Sequence, residues 1–326
     1  MIAITDFKKY FTRWSKLLNE YRSSLKPGET EEVISQFFNR PLAFLTAKIF
    51  FKLRRSPNFI TMFSMFFGVS AGFMFAQGEY NYILAGVVLL ELMIIFDCAD
   101  GQLARMTGKS SSFGKTLDAS ADLATHMSVF YGVAFAVFAR SGNIGVFFLA
   151  LIAQASMYVH IFLFDHFKNV FIRVARPEYC DKLESINDIK ESCKKEKLNN
   201  RRFNYKWLAA RMYYIFYHIE EVIVSIGYLP YANSFYDLFP DTERLDSLTR
   251  EIYYQEMRGS IKTWTFLGDT THLMFFIVFG ILNKLALVFP VMIISTNIFC
   301  IFTLFYQRIK FKKLGLEREI LWQERV

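Results

Sequence analysis

A chain of 326 residues that is 53% hydrophobic and 18% aromatic, with only 21% charged residues, is not a disordered polymer, because disorder needs low hydrophobicity. So much apolar mass also argues against a simple soluble domain and for contact with lipid. The formal net charge of +8 on so oily a chain is the feature that topology must explain.

The N-terminus, MIAITDFKKYFTRW, has no apolar core of signal-peptide length, so membrane targeting is expected from internal segments. Residues 1–56 read as a cytoplasmic and interfacial segment. Within them, 31–56 sets Phe37, Phe38, Phe44, Phe50 and Phe51 among Arg40, Lys48, Lys52, Arg54 and Arg55. That is the pattern of a helix lying at headgroup level on anionic lipid.

A membrane span needs about 20 apolar residues. Six stretches qualify: 57–76, 81–99, 117–139, 144–164, 265–282 and 285–306. Spans one to four and their loops make up 57–164, spans five and six make up 265–306, and 307–326 is a tail. Residues 165–264 form a polar insert. Its part 168–206 is Lys-rich. Its part 207–237 is aromatic but holds Arg211, His218, Glu220 and Glu221, which are costly inside a bilayer, so it reads as interfacial. With this division, 36 of the 38 Lys and Arg residues share one side, and only Arg140 and Lys284 face the other. The expected fold is therefore an all-α integral membrane bundle of six transmembrane helices. It has an N-terminal interfacial helix, a long cytoplasmic insert between helices 4 and 5, and both termini cytoplasmic. The positive excess is a topological signal and not a nucleic-acid footprint. None of Cys98, Cys180, Cys193 and Cys300 forms a CxxC pair, so reduced thiols are expected.

The chemistry concentrates in residues 97–122, DCADGQLARMTGKSSSFGKTLDASAD. Asp97 and Asp100 are three apart on one helix face, continued by the small residues Gly101 and Ala104. Gly114, Asp118 and Asp122 repeat every four residues on the next helix. A turn between the two brings four carboxylates together at the cytoplasmic boundary, where they repel unless neutralised. Hard divalent cations with oxygen ligands do that, with Mg²⁺ the default. Two ions bridged by aspartates suit phosphoryl transfer. Gly101, Ala104 and Gly114 let a nucleotide or diphosphate approach the backbone, and Arg105 can pair with a phosphate through its fork. One aspartate must remain to take a proton from an acceptor hydroxyl.

This string resembles the signature of the CDP-alcohol phosphotransferases (CDP-alcohol phosphatidyltransferases), D-x2-D-G-x2-A-R-x8-G-x3-D-x3-D. It is met by Asp97, Asp100, Gly101, Ala104, Arg105, Gly114, Asp118 and Asp122. Pro57-Asn58-Phe59-Ile60-Thr61 also resembles the PN-x-x-T at the start of the family's first span. The resemblance covers about residues 40–165. It implies a six-helix membrane bundle, usually a homodimer, with a cytoplasmic-facing site in the bacterial inner (plasma) membrane. It implies that Asp97, Asp100 and Asp118 bind two metal ions, Mg²⁺ or Mn²⁺, and that Asp122 binds one and acts as general base. Asn58, Thr61, Gly101 and Arg105 would contact the CDP moiety, and Ser111 falls where several members use a hydroxyl to reach the donor. The implied reaction moves a phosphatidyl or phospho-alcohol group from a CDP-linked donor to the hydroxyl of an alcohol acceptor, releasing CMP.

The signature does not separate a CDP-diacylglycerol donor from a CDP-choline or CDP-ethanolamine donor. Ala119-Ser120-Ala121-Asp122-Leu123 lacks the Pro-x-Ala-Asp-Lys that resembles glycerol-phosphate users. A phosphorylated acceptor would want cations, which Arg258 and Lys262 would have to supply. Tyr131, Tyr158 and Trp264 are candidate walls of an ammonium cage, although such aromatics more often pack in a core. His126 is expected to pack, and His272 is left open. A different class, a cation transporter using the aspartates as its ion site, is disfavoured because the opposite halves of the spans lack ionisable residues for a path.

Overall fold

The computed structural model describes residues 15–108, 112–177, 223 and 245–323. The expectations for Ser111, for Cys180 and Cys193, and for most of the insert fall outside the described residues. Among the described residues every element is helical. Helix α1 covers 15–24, and a π-helical stretch Ser35–Asn39 runs into α2 (Arg40–Lys52). Then come α3 (Pro57–Ala76), α4 (Tyr80–Thr107), α5 (Ser112–Ser141), α6 (Gly145–Ala175), α7 (Ser247–Trp264), α8 (Asp269–Ile281) and α9 (Val288–Gln323).

Five helical stretches are long and apolar enough to cross a membrane: Pro57–Ala76, Tyr80–Thr107, Gly114–Ser141, Gly145–Ala175 and Leu285–Gly315. The pair Ser247–Leu267 and Asp269–Ile281, bent by 42°, makes a sixth if counted as one span. These helices make the chain an integral membrane protein. The fifth span differs from its expected 265–282. Helix α8 has only 13 residues, about 20 Å at 1.5 Å per residue, which is short of a hydrocarbon core of about 30 Å. Counted as one span with α8, α7 supplies the remaining length, from residues the sequence places in the insert. The break between them is Gly268, extended at φ −75° and ψ 172° after a 3-10 turn. Helix α6 likewise continues to Ala175, past the expected end at 164.

The chain divides into two compact units. The first comprises Met1–Leu151 and Leu273–Phe289. Its helices α3 and α5 meet along a seam of small residues. A Cβ on Gly68 would collide with Thr125, one on Gly72 with Ser128, and one on Gly132 with the Gly72 carbonyl. Such seams let backbones approach closely where the hydrophobic effect gives helices no reason to associate. Phe130, Phe276 and Phe289 cluster in the same unit, with centroids 4.8–6.1 Å apart and two of the three pairs edge-on. Large apolar side chains such as Phe66, Phe73 and Phe135 point outward, while Thr61, Ser64 and Thr125 are buried. Helix α2 lays Ala43 and Ala47 against Cys98, Ala99 and Leu103 of α4. Its Leu42, Leu45 and Ile49 remain exposed.

The second unit comprises Ile152–His272 and Pro290–Val326. Phe164, Phe167 and Phe171 of α6 pack with Tyr253, Met257, Ile261 and Trp264 of α7 and Cys300 and Phe311 of α9. The apolar residues of α7 recur at helical spacing, and the Asp246 carboxylate caps its start by accepting from Thr249 N–H at 3.0 Å.

Candidate active site

The site is built where three helices of the first unit converge. Helix α4 ends at Gly108, whose φ of 64° is left-handed and easiest for glycine, and the chain leaves it toward α5. Asp97 and Asp100 lie in the last turns of α4, and Asp118 lies early in α5. Carboxylate oxygens of Asp97, Asp100 and Asp118 lie within 4.8 Å of one another. From α3, Thr61 Oγ1 donates a hydrogen bond of 2.6 Å to Asp100 Oδ2. Pro57 opens α3 at its first position, where its missing N–H costs nothing, and sets Thr61 one turn in.

Three converging carboxylates, one of them buried, form an all-oxygen donor set of high negative charge. That set fits a hard divalent cation far better than a soft metal, so the residues present suit the metal that the signature implies. Asp122 is one turn beyond Asp118 on the same stripe and is partly buried, but it is not part of the trio. Gly101 leaves a bare flank beside Asp100. A Cβ there would sit 3.5 Å from Arg105 Nη1, so the guanidinium lies over that flank. Arg105 Nε donates to the Ser24 carbonyl at 2.6 Å, and its Nη2 is buried without a hydrogen-bond partner. Asn58, Ala104 and Gly114 are partly buried on α3, α4 and α5 respectively.

Several residues at this site were not picked out by sequence. Glu31 and Arg40 form a buried ion pair at 2.7 Å. Gln102 Nε2 donates to the Arg40 carbonyl at 3.1 Å. The one signal was a carboxylate run, Glu29, Glu31 and Glu32, inside a cationic segment. Thr61 was expected on the CDP moiety and is found on Asp100. Glu91 is a further ionisable residue, about 13 Å along α4 from Asp100 by helix rise, with Oε1 buried and without a hydrogen-bond partner. The opposite stretches of the spans are therefore not free of ionisable groups.

His126 is buried in α5. In the second unit His272 is fully buried, its Nε2 lies 3.1 Å from His160 Nδ1, and its own Nδ1 lies 2.8 Å from the Gly268 carbonyl. Trp264 is a core residue, stacked at 5.1 Å on Phe167 with Nε1 donating to Gln307 Oε1 at 3.3 Å. Tyr158 stacks on Phe162 at 6.2 Å, and Tyr131 is partly buried. Arg258 and Lys262 are exposed on α7.

Comparison with known proteins agrees with the geometry. Residues 54–184 match the family model for CDP-alcohol phosphatidyltransferase. The chain is 36% identical over 84 residues to a phosphatidylinositol phosphate synthase of Corynebacterium glutamicum, which is 26% of this chain and 37% of that protein. It is 37% identical over 79 residues to an archaetidylinositol phosphate synthase of Pyrococcus horikoshii, 24% of this chain and 40% of that protein. An uncharacterized protein of Aquifex aeolicus is 36% identical over 108 residues, 32% of this chain and 53% of its own length. The chain thus spans about two-fifths to a half of the length of the curated relatives it matches. The eight signature residues fall inside the matched stretch, and three of its aspartates meet at one point, so residues 54–184 are similar to a CDP-alcohol phosphatidyltransferase domain.

Proposed function

We propose that this protein is a membrane phospholipid-synthesis enzyme. It transfers a phosphatidyl or phospho-alcohol group from a CDP-linked donor to an alcohol hydroxyl and releases CMP. The observation that carries this reading is the trio Asp97, Asp100 and Asp118, within 4.8 Å and inside the family match. Both relatives with a stated activity are named as inositol phosphate lipid synthases. Their names favour CDP-diacylglycerol over CDP-choline or CDP-ethanolamine as donor, and put inositol phosphate first among acceptors to test.

In this reading Asp97, Asp100 and Asp118 would hold two Mg²⁺ ions, or Mn²⁺ in their place, and Asp122 would hold one of them. The chemistry such ions would supply there is positive charge that offsets the diphosphate and the leaving group. Thr61 fixes the rotamer of Asp100, the supporting role that outer hydrogen bonds play at metal sites. Gly101, Ala104 and Gly114 leave backbone open for the donor, and Asn58, Arg105 and Ser111 contact its CDP portion. Asp122 takes the proton of the acceptor hydroxyl. The hydroxyl oxygen bonds to the phosphorus nearer the donor's alcohol moiety, the bond from that phosphorus to the bridging oxygen breaks, and CMP leaves with the electron pair. The Lys and Arg bias supports cytoplasmic termini, and the family resemblance supports a homodimer in the bacterial plasma membrane.

The test incubates purified protein and Mg²⁺ with CDP-diacylglycerol or CDP-choline and a panel of acceptors that includes inositol phosphate, inositol, glycerol phosphate and serine. The expected result is CMP plus one new phospholipid from CDP-diacylglycerol, identified by mass spectrometry. Product from CDP-choline alone would overturn the donor assignment. For the base, Asp122→Asn is expected to abolish turnover while donor binding persists, and retained turnover would remove that role.

A further inference from the structure

The segment that precedes the family match reaches the signature helix with buried charge. Glu31 is 5% exposed, and its carboxylate accepts from the Lys26 N–H at 3.2 Å and from Arg40 Nη2 at 2.7 Å. Thr30 ties the same turn down, with Oγ1 donating to the Pro27 carbonyl at 2.8 Å. Arg40 opens α2, one turn before the Ala43 that packs on Cys98 and Ala99. From α4, Gln102 reaches back to the Arg40 carbonyl, and Arg105 reaches the Ser24 carbonyl. The segment is therefore fastened to the same two turns that carry Asp97 and Asp100. Arg40 lies in electrostatic reach of Asp97, and Arg105 in reach of Asp100 and of Arg40.

Two guanidiniums thus lie in electrostatic reach of the carboxylate trio, Arg40 of Asp97 and Arg105 of Asp100, and Glu31 is the acid paired with Arg40. Burial keeps such charges from being screened by water, so each acts on the trio over several ångströms. Arg40 Nε is buried without a hydrogen-bond partner, so the Glu31 contact does not use the whole guanidinium. A positive charge beside the trio opposes entry of a cation, and a negative charge facing that positive charge relieves the opposition.

We propose that the buried Glu31–Arg40 pair, outside the family match, sets the divalent-cation affinity of the Asp97–Asp100–Asp118 trio, Arg40 lowering it and Glu31 restoring it. The proposal rests on the trio being a metal site. Glu31 and Arg40 are positioning residues that act through charge and do not touch substrate.

The experiment measures Mn²⁺ affinity of the purified full chain in nanodiscs at pH 8, by electron paramagnetic resonance of free Mn²⁺. Glu31→Gln is expected to weaken binding roughly three- to thirtyfold, and Arg40→Gln to strengthen it by a similar factor. The double variant, neutral at both positions, is expected to return close to the parent, because two opposite charges have been removed together. Arg40→Lys keeps the charge and is expected to keep the parent affinity even if packing changes. Asp100→Asn in the same assay reports on the trio itself. If Asp100→Asn loses Mn²⁺ while the Glu31 and Arg40 variants shift affinity in one direction or not at all, the proposal is overturned and the metal site stands. If the parent chain binds no Mn²⁺, the metal reading and the proposal fall together.

Discussion

Both compact units hide polar side chains among apolar helices, and the two sets differ in kind. In the second unit several buried polar groups are neutral types that bond one another. His272 Nδ1 faces the Gly268 carbonyl at 2.8 Å and must carry its proton there. Its Nε2 therefore accepts, and His160 Nδ1 donates across 3.1 Å. Asn297 Nδ2 donates to Ser156 Oγ at 3.1 Å, and Gln307 Oε1 accepts from both Ser260 and Trp264. In the first unit three carboxylates of one sign lie within 4.8 Å, with the Thr61 hydroxyl on Asp100 and the Arg40 and Arg105 guanidiniums in electrostatic reach of Asp97 and Asp100. Neutral hydrogen bonds hold helices in register, whereas concentrated like charge draws a counter-ion. Polarity inside a membrane protein is thus not enough to mark function. The discriminating property is the concentration of like charge.

The sharpest way to break this contrast is to neutralise one member of the trio. Asp100→Asn is expected to reduce divalent-dependent CMP release by at least about a hundredfold without lowering the melting temperature, since it removes like-charge repulsion. A variant that keeps its activity would make the trio a structural feature like the network in the second unit.

Next in size is a packing change in the first unit. Gly132→Val puts atoms where the Gly72 carbonyl stands, and is expected to destabilise the chain by about 2–3 kcal/mol in thermal unfolding in detergent. An unchanged melting temperature would mean that α3 and α5 do not meet at this seam.

Some of this architecture was readable and some was not. The spacing of Asp97, Asp100 and Asp118 was readable because helical periodicity alone places the first two on one face and the turn at Gly108 supplies the third. The α3 seam was present in plain sight as Gly68 and Gly72, four apart, yet its partner residues Thr125, Ser128 and Gly132 identify themselves only once α5 is in place. In sequence, Arg250, Glu251, Glu256, Arg258 and Lys262 mask the apolar stripe of α7, Tyr253, Met257, Ile261 and Trp264. The Glu31–Arg40 pair and the Gln102 contact with the Arg40 carbonyl depend on how α2 docks on α4, a tertiary fact with no local signature.

A milder test removes the hydroxyl that orients the trio. Thr61→Val is expected to lower metal affinity roughly tenfold while leaving the fold intact, the usual cost of losing a supporting hydrogen bond. Unchanged affinity would show that Thr61 serves the donor instead, as the sequence reading had it. Smaller in its effect on chemistry is His160→Leu in the second unit. It leaves His272 Nε2 without the His160 donor, so stability is expected to fall by about 1–3 kcal/mol while CMP release per folded molecule stays within about twofold. A selective loss of turnover in folded protein would instead bring the second unit into the chemistry.

The smallest effect belongs to an exposed pair. The hydrogen bond from Lys48, at 2.6 Å, holds the Glu20 carboxyl below its ordinary value. A lowered carboxylate pKa stabilises the fold above the unfolded value and loses that contribution as pH falls through the folded value. Lys48→Met is therefore expected to cost a little stability at pH 7 and none at strongly acidic pH, and a cost that does not vary with pH would mean the side chain matters through packing.

The account turns on a metal held by the signature aspartates acting on a CDP-linked lipid. The most direct measurement is CMP release from CDP-diacylglycerol in the presence of inositol phosphate, with Mg²⁺, with Mn²⁺ and after chelation, for the parent chain and Asp100→Asn side by side. The predicted result is release by the parent chain that matches new phospholipid mole for mole, stops on chelation and is absent in Asp100→Asn. Release that survives both chelation and the Asp100 substitution would contradict it.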